Sequence, residues 1–141
     1  EIMFLPAYHW HSRYGFDKNR ALWGSFLVKY HDKQIYFCGD SGYNTHFAHI
    51  RERYGDIDIC IMPIGAYKPA FIMQHSHMNP QESIQAFKDL GGSIFIPMHY
   101  GTFVLSEEPV SEGIRTVREA EKSGELGGKL CELAIGEHMR L

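Results

Sequence analysis

The chain has 141 residues, of which 44% are hydrophobic and 22% are charged, and its formal net charge is −3. This length and composition are typical of one globular domain with a buried core. The negative charge, without a cluster of lysine and arginine, argues against a nucleic-acid-binding protein. The longest nearly apolar run, ICIMPIGAY, is far shorter than the roughly 18 residues that a membrane-spanning helix needs.

The first elements along the chain are predicted to be strands. Apolar residues 2–5 predict a short strand that Pro6 stops, and LWGSFLVKY (22–30) predicts a second strand. The run QIYFC (34–38) follows the polar turn HDK, so these two strands are expected to form a hairpin. The chain begins inside an apolar run without an initiator methionine, and we therefore expect it to be a fragment or a processed piece.

Helices and strands then alternate. Asn44 is predicted to cap a short helix that Gly55 ends, and residues 56–64 predict a buried strand. After an irregular segment, the next helix has Asn79 as its N-cap, with Pro80 and Glu82 in the first-turn and capping-box positions. Three further elements are predicted in the order strand, helix, strand: residues 93–99, a helix capped by Ser111, and residues 130–135. This alternation predicts a single α/β unit spanning residues 1–141.

Three ionisable residues follow predicted strands directly. His9, Asp40 and His99 each come just after a strand, and functional groups gather at strand ends in open α/β sheets. Two imidazoles and one carboxylate suit a divalent metal such as zinc. Because 31 and 59 residues separate the three along the chain, spacing alone also allows three unrelated strand-end side chains.

The stretch YFCGDSGYN contains GDSG, the peptide that carries the nucleophilic serine of chymotrypsin-like proteases. Here Gly42 leads into a helix instead of a second glycine and proline, and the nucleophile-elbow pattern Gly-x-Ser-x-Gly is not met. Ser41 is therefore interpreted as a turn hydroxyl, and Asp40 as the reactive group of this stretch.

The remaining histidines and aromatic residues are less informative. His75 and His77 form a His-x-His pair, but Asn79 and Pro80 follow where further ligands would be needed, so His77 is interpreted as a loop proton donor or phosphate contact. The other histidines are predicted to be solvated: His11, His31, His46, His49 and His138. Four aromatic residues are predicted to lie in the core or a pocket wall: Trp10, Trp23, Phe26 and Phe37.

Six motifs together resemble the carboxy-terminal half of a metallo-β-lactamase-fold hydrolase. They are PAYHWHSR, ALWGSFLV, YFCGDSGY, IPIGAYKP, HMNPQES and PMHYGTF, in order from about residue 3 to residue 105. The pattern is most similar to the N-acylphosphatidylethanolamine-hydrolysing phospholipase D subgroup and its bacterial relatives. The resemblance implies half of a four-layer αββα sandwich, with a mixed sheet and helices on one face.

The resemblance also implies roles for five residues. His9 and His99 would each ligate one zinc ion, and Asp40 would bridge two. His77 would face the substrate phosphate or leaving group, and Tyr67 would line the pocket. The implied chemistry is attack on a phosphodiester by a metal-bridging hydroxide. Manganese or iron in place of zinc is not excluded by these ligand types.

The family's His-x-His-x-Asp-His motif does not occur in these 141 residues. We therefore expect the chain to be inactive alone and to need a missing amino-terminal half or a second copy. Two alternatives stay open: a lactone or ester hydrolase of the same fold, and a non-catalytic half-domain that acts by association, including homo-oligomers. Three cysteines without Cys-x-x-Cys spacing predict a reducing compartment, so we expect a cytoplasmic protein, peripheral to a membrane if its substrate is a phospholipid.

Overall fold

A computed structural model describes residues 1–140, which form one six-stranded sheet and four helices. The strands are β1 (Ile2–Pro6), β2 (Gly24–Tyr30), β3 (Lys33–Phe37), β4 (Ile59–Pro63), β5 (Ile94–Met98) and β6 (Lys129–Leu130). The helices are α1 (His46–Tyr54), α2 (Ala70–Met73), α3 (Pro80–Asp89) and α4 (Glu112–Ser123). Among the described residues, no helix is long and apolar enough to cross a bilayer.

The strands lie in the sheet in their chain order, β1 to β6. The pairs β1–β2 and β2–β3 are antiparallel, whereas β3–β4, β4–β5 and β5–β6 are parallel. Strands β1, β3, β4 and β5 therefore all end at the same edge of this mixed sheet, and β2 begins there. Loops that are distant in sequence meet at this edge, which we call the site edge.

One face of the sheet is covered by helices. Its central row of paired residues is fully buried and consists of Leu27, Tyr36, Cys60 and Phe95. Helices α1, α3 and α4 contribute their own buried residues, such as Phe47, Phe87 and Val117, to the same hydrophobic core. The predicted arrangement of helices on one face is therefore observed.

The opposite face is apolar but uncovered. Its central row of paired residues runs across five strands and consists of Phe4, Phe26, Phe37, Ile61 and Ile96. The three phenylalanines of this row are 51%, 41% and 42% exposed. We call this surface the bare face. The aromatic character of Phe26 and Phe37 predicts a place in the core or in a pocket wall, but both rings are well exposed and lie outside the buried core.

Most predicted elements are found, and the capping box predicted for α3 is also observed. The Asn79 side chain accepts a hydrogen bond from the Glu82 backbone N–H, and the Glu82 carboxylate accepts one from the Asn79 N–H. This capping box satisfies two backbone donors that would otherwise lack partners at the start of the helix.

Three local predictions are wrong. Thr45, not Asn44, is the N-cap of α1, because the Asn44 carboxamide instead accepts hydrogen bonds from the Thr45 backbone and hydroxyl. The predicted strand 130–135 is reduced to the two-residue β6, since only Lys129 and Leu130 pair with β5. Helix α2 falls within a segment predicted to be irregular; at four residues it is too short for a clear periodic pattern.

Candidate metal centre

Four ionisable side chains meet at the site edge. His9 follows β1, Asp40 follows β3 and His99 follows β5, while His77 lies in the loop before α3. The parallel relation of β1, β3 and β5 places the first three at one edge. The sheet topology therefore brings together residues that are far apart in the sequence.

The ligand atoms of His9, Asp40 and His77 lie within 4.8 Å of one another. His99 joins them through Asp40, because its Nε2 is 3.3 Å from the Asp40 carboxylate oxygen Oδ1. The ring of His77 lies between the other two imidazoles, with centroids 5.2 Å from His9 and 5.6 Å from His99. All four side chains are partly buried.

This donor set fits a divalent metal. His9 donates from Nδ1 to the backbone carbonyl of Trp10 at 2.7 Å, which leaves Nε2 as its free lone pair. Metal-binding histidines commonly make this kind of hydrogen bond with the nitrogen that does not bind the ion. The Nδ1 atoms of His77 and His99 are buried without a hydrogen-bond partner among the described residues. The imidazoles of these histidines and the carboxylate of Asp40 are side chains of the kinds that typically bind zinc.

Ser41 connects the loops that carry His9 and Asp40. Its hydroxyl accepts a hydrogen bond from the Tyr8 N–H at 2.9 Å and donates one to the Gly42 carbonyl at 2.9 Å. The Gly42 N–H in turn donates to the Tyr8 carbonyl at 2.8 Å. The Ser41 side chain is fully buried, and this pairing fits the predicted turn hydroxyl better than a nucleophile.

Two glycines permit close backbone approaches beside the site. A β-carbon at Gly42 would lie 2.9 Å from the carbonyl oxygen of Gln74, so glycine lets the His77 loop pack on the Asp40 loop. A β-carbon at Gly65 would collide with the carbonyl oxygen of His99. His99 itself has a left-handed backbone conformation with φ of 60°, which is uncommon for a residue with a side chain.

A cleft of about 260 Å³ opens beside the cluster and is lined by His77 and Tyr67, together with Lys68 and Glu112. Burial lowers the pKa of His77, although the nearby Asp40 carboxylate opposes this effect. Tyr67 donates its hydroxyl proton to Glu112 at 2.8 Å, and Lys68 donates to the same carboxylate at 2.8 Å. The Tyr67 ring is therefore held as part of the cleft wall.

The structure brings His9, Asp40, His77 and His99 together, and it places Tyr67 in the same cleft as His77. It does not separate His77 from the three predicted ligands, so the different roles assigned to these residues stay predictions. His75 is exposed. His46 is predicted to be solvated, but its Nδ1 is buried, and burial lowers its pKa to about 4.

Sequence reasoning missed the contacts of Trp23 within the cluster. The Trp23 ring stacks on the His9 imidazole with centroids 4.3 Å apart, and its indole N–H donates to the Asp40 backbone carbonyl at 2.9 Å. Trp23 directly precedes β2, which starts at the site edge. The antiparallel pairing of β1, β2 and β3 is the signal that would have located it, because it places the residue before β2 beside the residues after β1 and β3.

Comparisons with known proteins show the family of the chain. Residues 1–100 match the family model described as a beta-lactamase superfamily domain. The mitochondrial N-acyl-phosphatidylethanolamine-hydrolyzing phospholipase D of Saccharomyces cerevisiae is 42% identical over 110 residues, which are 76% of this chain and 24% of that protein. N-acyl-phosphatidylethanolamine-hydrolyzing phospholipase D 1 of Caenorhabditis elegans is 36% identical over 105 residues, 74% of this chain and 30% of that protein.

A solved structure shows the same fold. Igni18, a metallo hydrolase from the archaeon Ignicoccus hospitalis, superposes with a TM-score of 0.67 at 24% identity, covering 94% of this chain and 48% of that one. This chain thus spans less than a third of these two curated relatives and about half of the solved structure. It belongs to the beta-lactamase superfamily, and it shares the fold of this solved structure over 94% of its length.

Proposed function

We propose that this chain is the carboxy-terminal half of a metal-dependent phosphodiesterase similar to N-acylphosphatidylethanolamine-hydrolysing phospholipase D. The observation that carries the proposal is the cluster of His9, Asp40, His77 and His99 at the site edge. The substrate class is supported by the two phospholipases that are 42% and 36% identical to this chain.

His9, Asp40 and His99 are the proposed metal ligands. Asp40 is assigned as the bridging residue, since its carboxylate has two oxygens and lies within reach of histidines on both sides. Zinc is the proposed metal, with two ions in the intact site, and manganese or iron is the alternative. A metal bound there supplies an activated water and neutralises negative charge on the phosphoryl group.

His77 and Tyr67 are proposed to act on the substrate. His77 lines the cleft, and its lowered pKa keeps the imidazole neutral near pH 7. A neutral imidazole that donates one ring N–H can hydrogen-bond a phosphoryl oxygen or the leaving group without repelling a nearby cation. Tyr67 shapes the cleft wall, because its hydroxyl is engaged by Glu112.

The remaining ligands are proposed to come from an amino-terminal half or from a second copy of the chain. Three protein ligands shared between two ions are fewer than a dinuclear site needs, so we expect the 141-residue chain to be inactive alone. The bare face supplies the docking surface, since it exposes a continuous apolar row from Phe4 to Ile96. Apolar sheet faces of this kind pack against a second sheet in sandwich folds.

The proposed location is cytoplasmic, with peripheral contact to a membrane. Loops next to His9 and His99 expose large apolar side chains, including Leu22 at 87% and Phe103 at 73%. Co-sedimentation with vesicles of phosphatidylcholine and phosphatidylethanolamine tests this idea. Leu22→Ser and Phe103→Ser should reduce binding, whereas Ile135→Ser, which changes a fully exposed residue in the carboxy-terminal segment, should not. Equal binding by all three variants would argue against the membrane contact.

The test of the proposed activity uses the chain joined to the polypeptide encoded upstream of it. Metal analysis measures the bound ions, and hydrolysis of a phospholipid phosphodiester measures the activity. Asp40→Ala should abolish two-metal occupancy and turnover. Asp56→Ala is the matched control, because the Asp56 carboxylate is exposed and pairs with Arg51 away from the site. Full metal occupancy in Asp40→Ala would overturn the bridging role. Stoichiometric zinc binding and turnover by the 141-residue chain alone would contradict the proposal that its metal site is incomplete.

A further inference from the structure

Trp23 contacts two of the candidate ligands at once, by two different parts of its side chain. The flat face of the ring lies against the His9 imidazole at an interplanar angle of 25°, and the indole N–H binds the Asp40 backbone carbonyl. His9 and Asp40 lie on different loops, after β1 and β3. No other aromatic ring among residues 1–140 both stacks on His9 and donates a hydrogen bond to Asp40.

These contacts restrict motions of the His9 ring that its other interactions still allow. The hydrogen bond from His9 Nδ1 to the Trp10 carbonyl sets which nitrogen carries the proton, but a single bond still allows the ring to tilt. The Trp23 ring limits that tilt from one side. The indole N–H holds the backbone from which the Asp40 carboxylate projects, so the two ligands keep a fixed relation.

We propose that Trp23 is a positioning residue that fixes the His9 imidazole relative to Asp40 for metal binding. The inference rests on the proposed metal site and adds a residue to the surroundings of its ligands. Partners that orient metal ligands in this way typically change metal affinity or activity by about 10–100-fold when they are removed. The indole is suited to this role because it is rigid and joins a large apolar face to one N–H donor.

The first test needs no metal. In nuclear magnetic resonance spectra of the 141-residue chain, the Trp23 indole N–H should exchange with solvent more slowly than that of Trp10. The Trp10 ring also stacks near His9, at 5.7 Å, but its indole N–H has no hydrogen-bond partner among the described residues. Cross-relaxation between the Trp23 and His9 rings should also be seen. Equal exchange of the two indoles without such cross-relaxation would overturn the proposal.

The second test uses Co²⁺ as the probe, with the chain in its full-length parent and binding followed by visible absorption. Trp23→Phe keeps a ring against His9 and loses the donor, and it should weaken Co²⁺ binding about tenfold. Trp23→Leu should weaken it further, whereas Tyr30→Phe, at the other end of β2 and away from the site, should leave it unchanged. Urea unfolding should place Trp23→Phe and Tyr30→Phe at similar stability, which separates positioning from a general structural role.

The outcomes distinguish this inference from the proposed function. Unchanged Co²⁺ affinity in Trp23→Phe, in a protein whose Asp40→Ala variant has lost binding, would overturn the role of Trp23 alone. A wild-type protein that binds Co²⁺ or Zn²⁺ but hydrolyses no phosphodiester would overturn the proposed function and leave the positioning role intact. A full-length protein that binds neither Co²⁺ nor Zn²⁺ would overturn the proposed metal site and, with it, the role of Trp23 in metal binding.

Discussion

The two faces of the sheet differ in what covers them, although both are apolar. Leu27, Tyr36 and Phe95 belong to the row beneath the helices and are completely buried. Phe26 and Phe37 are neighbours of these residues along the same strands but point the other way, and they are 41% and 42% exposed. A strand that is apolar at consecutive positions is typical of a sheet buried on both faces.

This contrast indicates that the chain carries two kinds of apolar surface. The helix-covered face holds the buried hydrophobic core of the described residues. The bare face is a continuous apolar surface that no other element of residues 1–140 covers. Such surfaces typically bind another protein or another part of the same protein. The following predictions test this division, beginning with the largest effect.

Phe95→Ala should destabilise the chain by about 3–5 kcal/mol, because it leaves a cavity in a packed core beside Phe87. Phe26→Ala on the bare face should cost only about 1 kcal/mol, since much of its ring is already in contact with water. Equilibrium unfolding in urea measures both. If Phe95→Ala does not fold, Phe95→Leu supplies a milder comparison. Equal losses at the two positions would show that the bare face is covered in the isolated chain.

The paired substitution Phe26→Ser with Phe37→Ser should weaken association with the amino-terminal half, or self-association, by about tenfold or more, which corresponds to about 1.4 kcal/mol. Both rings lie in the centre of the exposed row, where contacts contribute most to binding. Sedimentation equilibrium measures the change. Ile135→Ser is the control, because Ile135 is fully exposed and lies outside the sheet. An unchanged association constant in the double variant would exclude the bare face as the interface.

His46, at the start of α1, should make the chain sensitive to acid. Burial lowers its pKa to about 4 from the ordinary value of 6.5, with a smaller contribution from His49. The unfolded chain therefore binds more protons between these values, so the free energy of unfolding is highest above pH 6.5 and falls as the pH decreases towards 4. The loss should be roughly 1–2 kcal/mol after allowance for partial exposure.

Urea unfolding between pH 7 and pH 4.5 measures this dependence. His46→Gln cannot gain the charge, so its free energy of unfolding should depend less on pH. His138→Gln is the control, since His138 is exposed. A pH dependence that is the same in His46→Gln and in the wild type would show that His46 does not carry the effect.

The smallest predicted effect concerns the capping of α3, one of the helices on the covered face. Asn79→Ala removes the acceptor for the Glu82 N–H and should cost about 1 kcal/mol. Asn44→Ala should cost less than about half of that, because Asn44 is not the N-cap of α1. Thermal or urea unfolding compares the two variants. A larger loss in Asn44→Ala would contradict the observed cap positions.

Sequence patterns predicted most of the fold because strong local signals mark its elements. The capping box at Asn79 correctly predicts the start of α3, and Gly55 correctly predicts the end of α1. The predicted strand 130–135 was wrong because an apolar run does not show how long the chain stays beside its neighbouring strand. Although β5 continues to Met98, β6 pairs only with Ile94 and Phe95 before the chain leaves the sheet.

The candidate site was predictable only in part. His9, Asp40 and His99 are predictable because each follows a strand, and the resemblance to known hydrolases implies the same three residues. The distances among them depend on strand order, which the sequence alone leaves open. The proximity of His77 depends on how its loop packs over Gly42, and the position of Trp23 depends on the direction of β2. Both are tertiary features without a local signal.

The tight approach of the His99 backbone to Gly65 limits how this centre can be redesigned. A mutant library that varies position 65 to alter substrate choice would mostly sample displaced His99 rings, and lost turnover would be mistaken for lost specificity. Phe103, Val104 and Leu105 offer a better starting point, since they are exposed and follow His99 by only a few residues. Variation there would change what the loop presents to a substrate while the backbone that carries the imidazole stays in place.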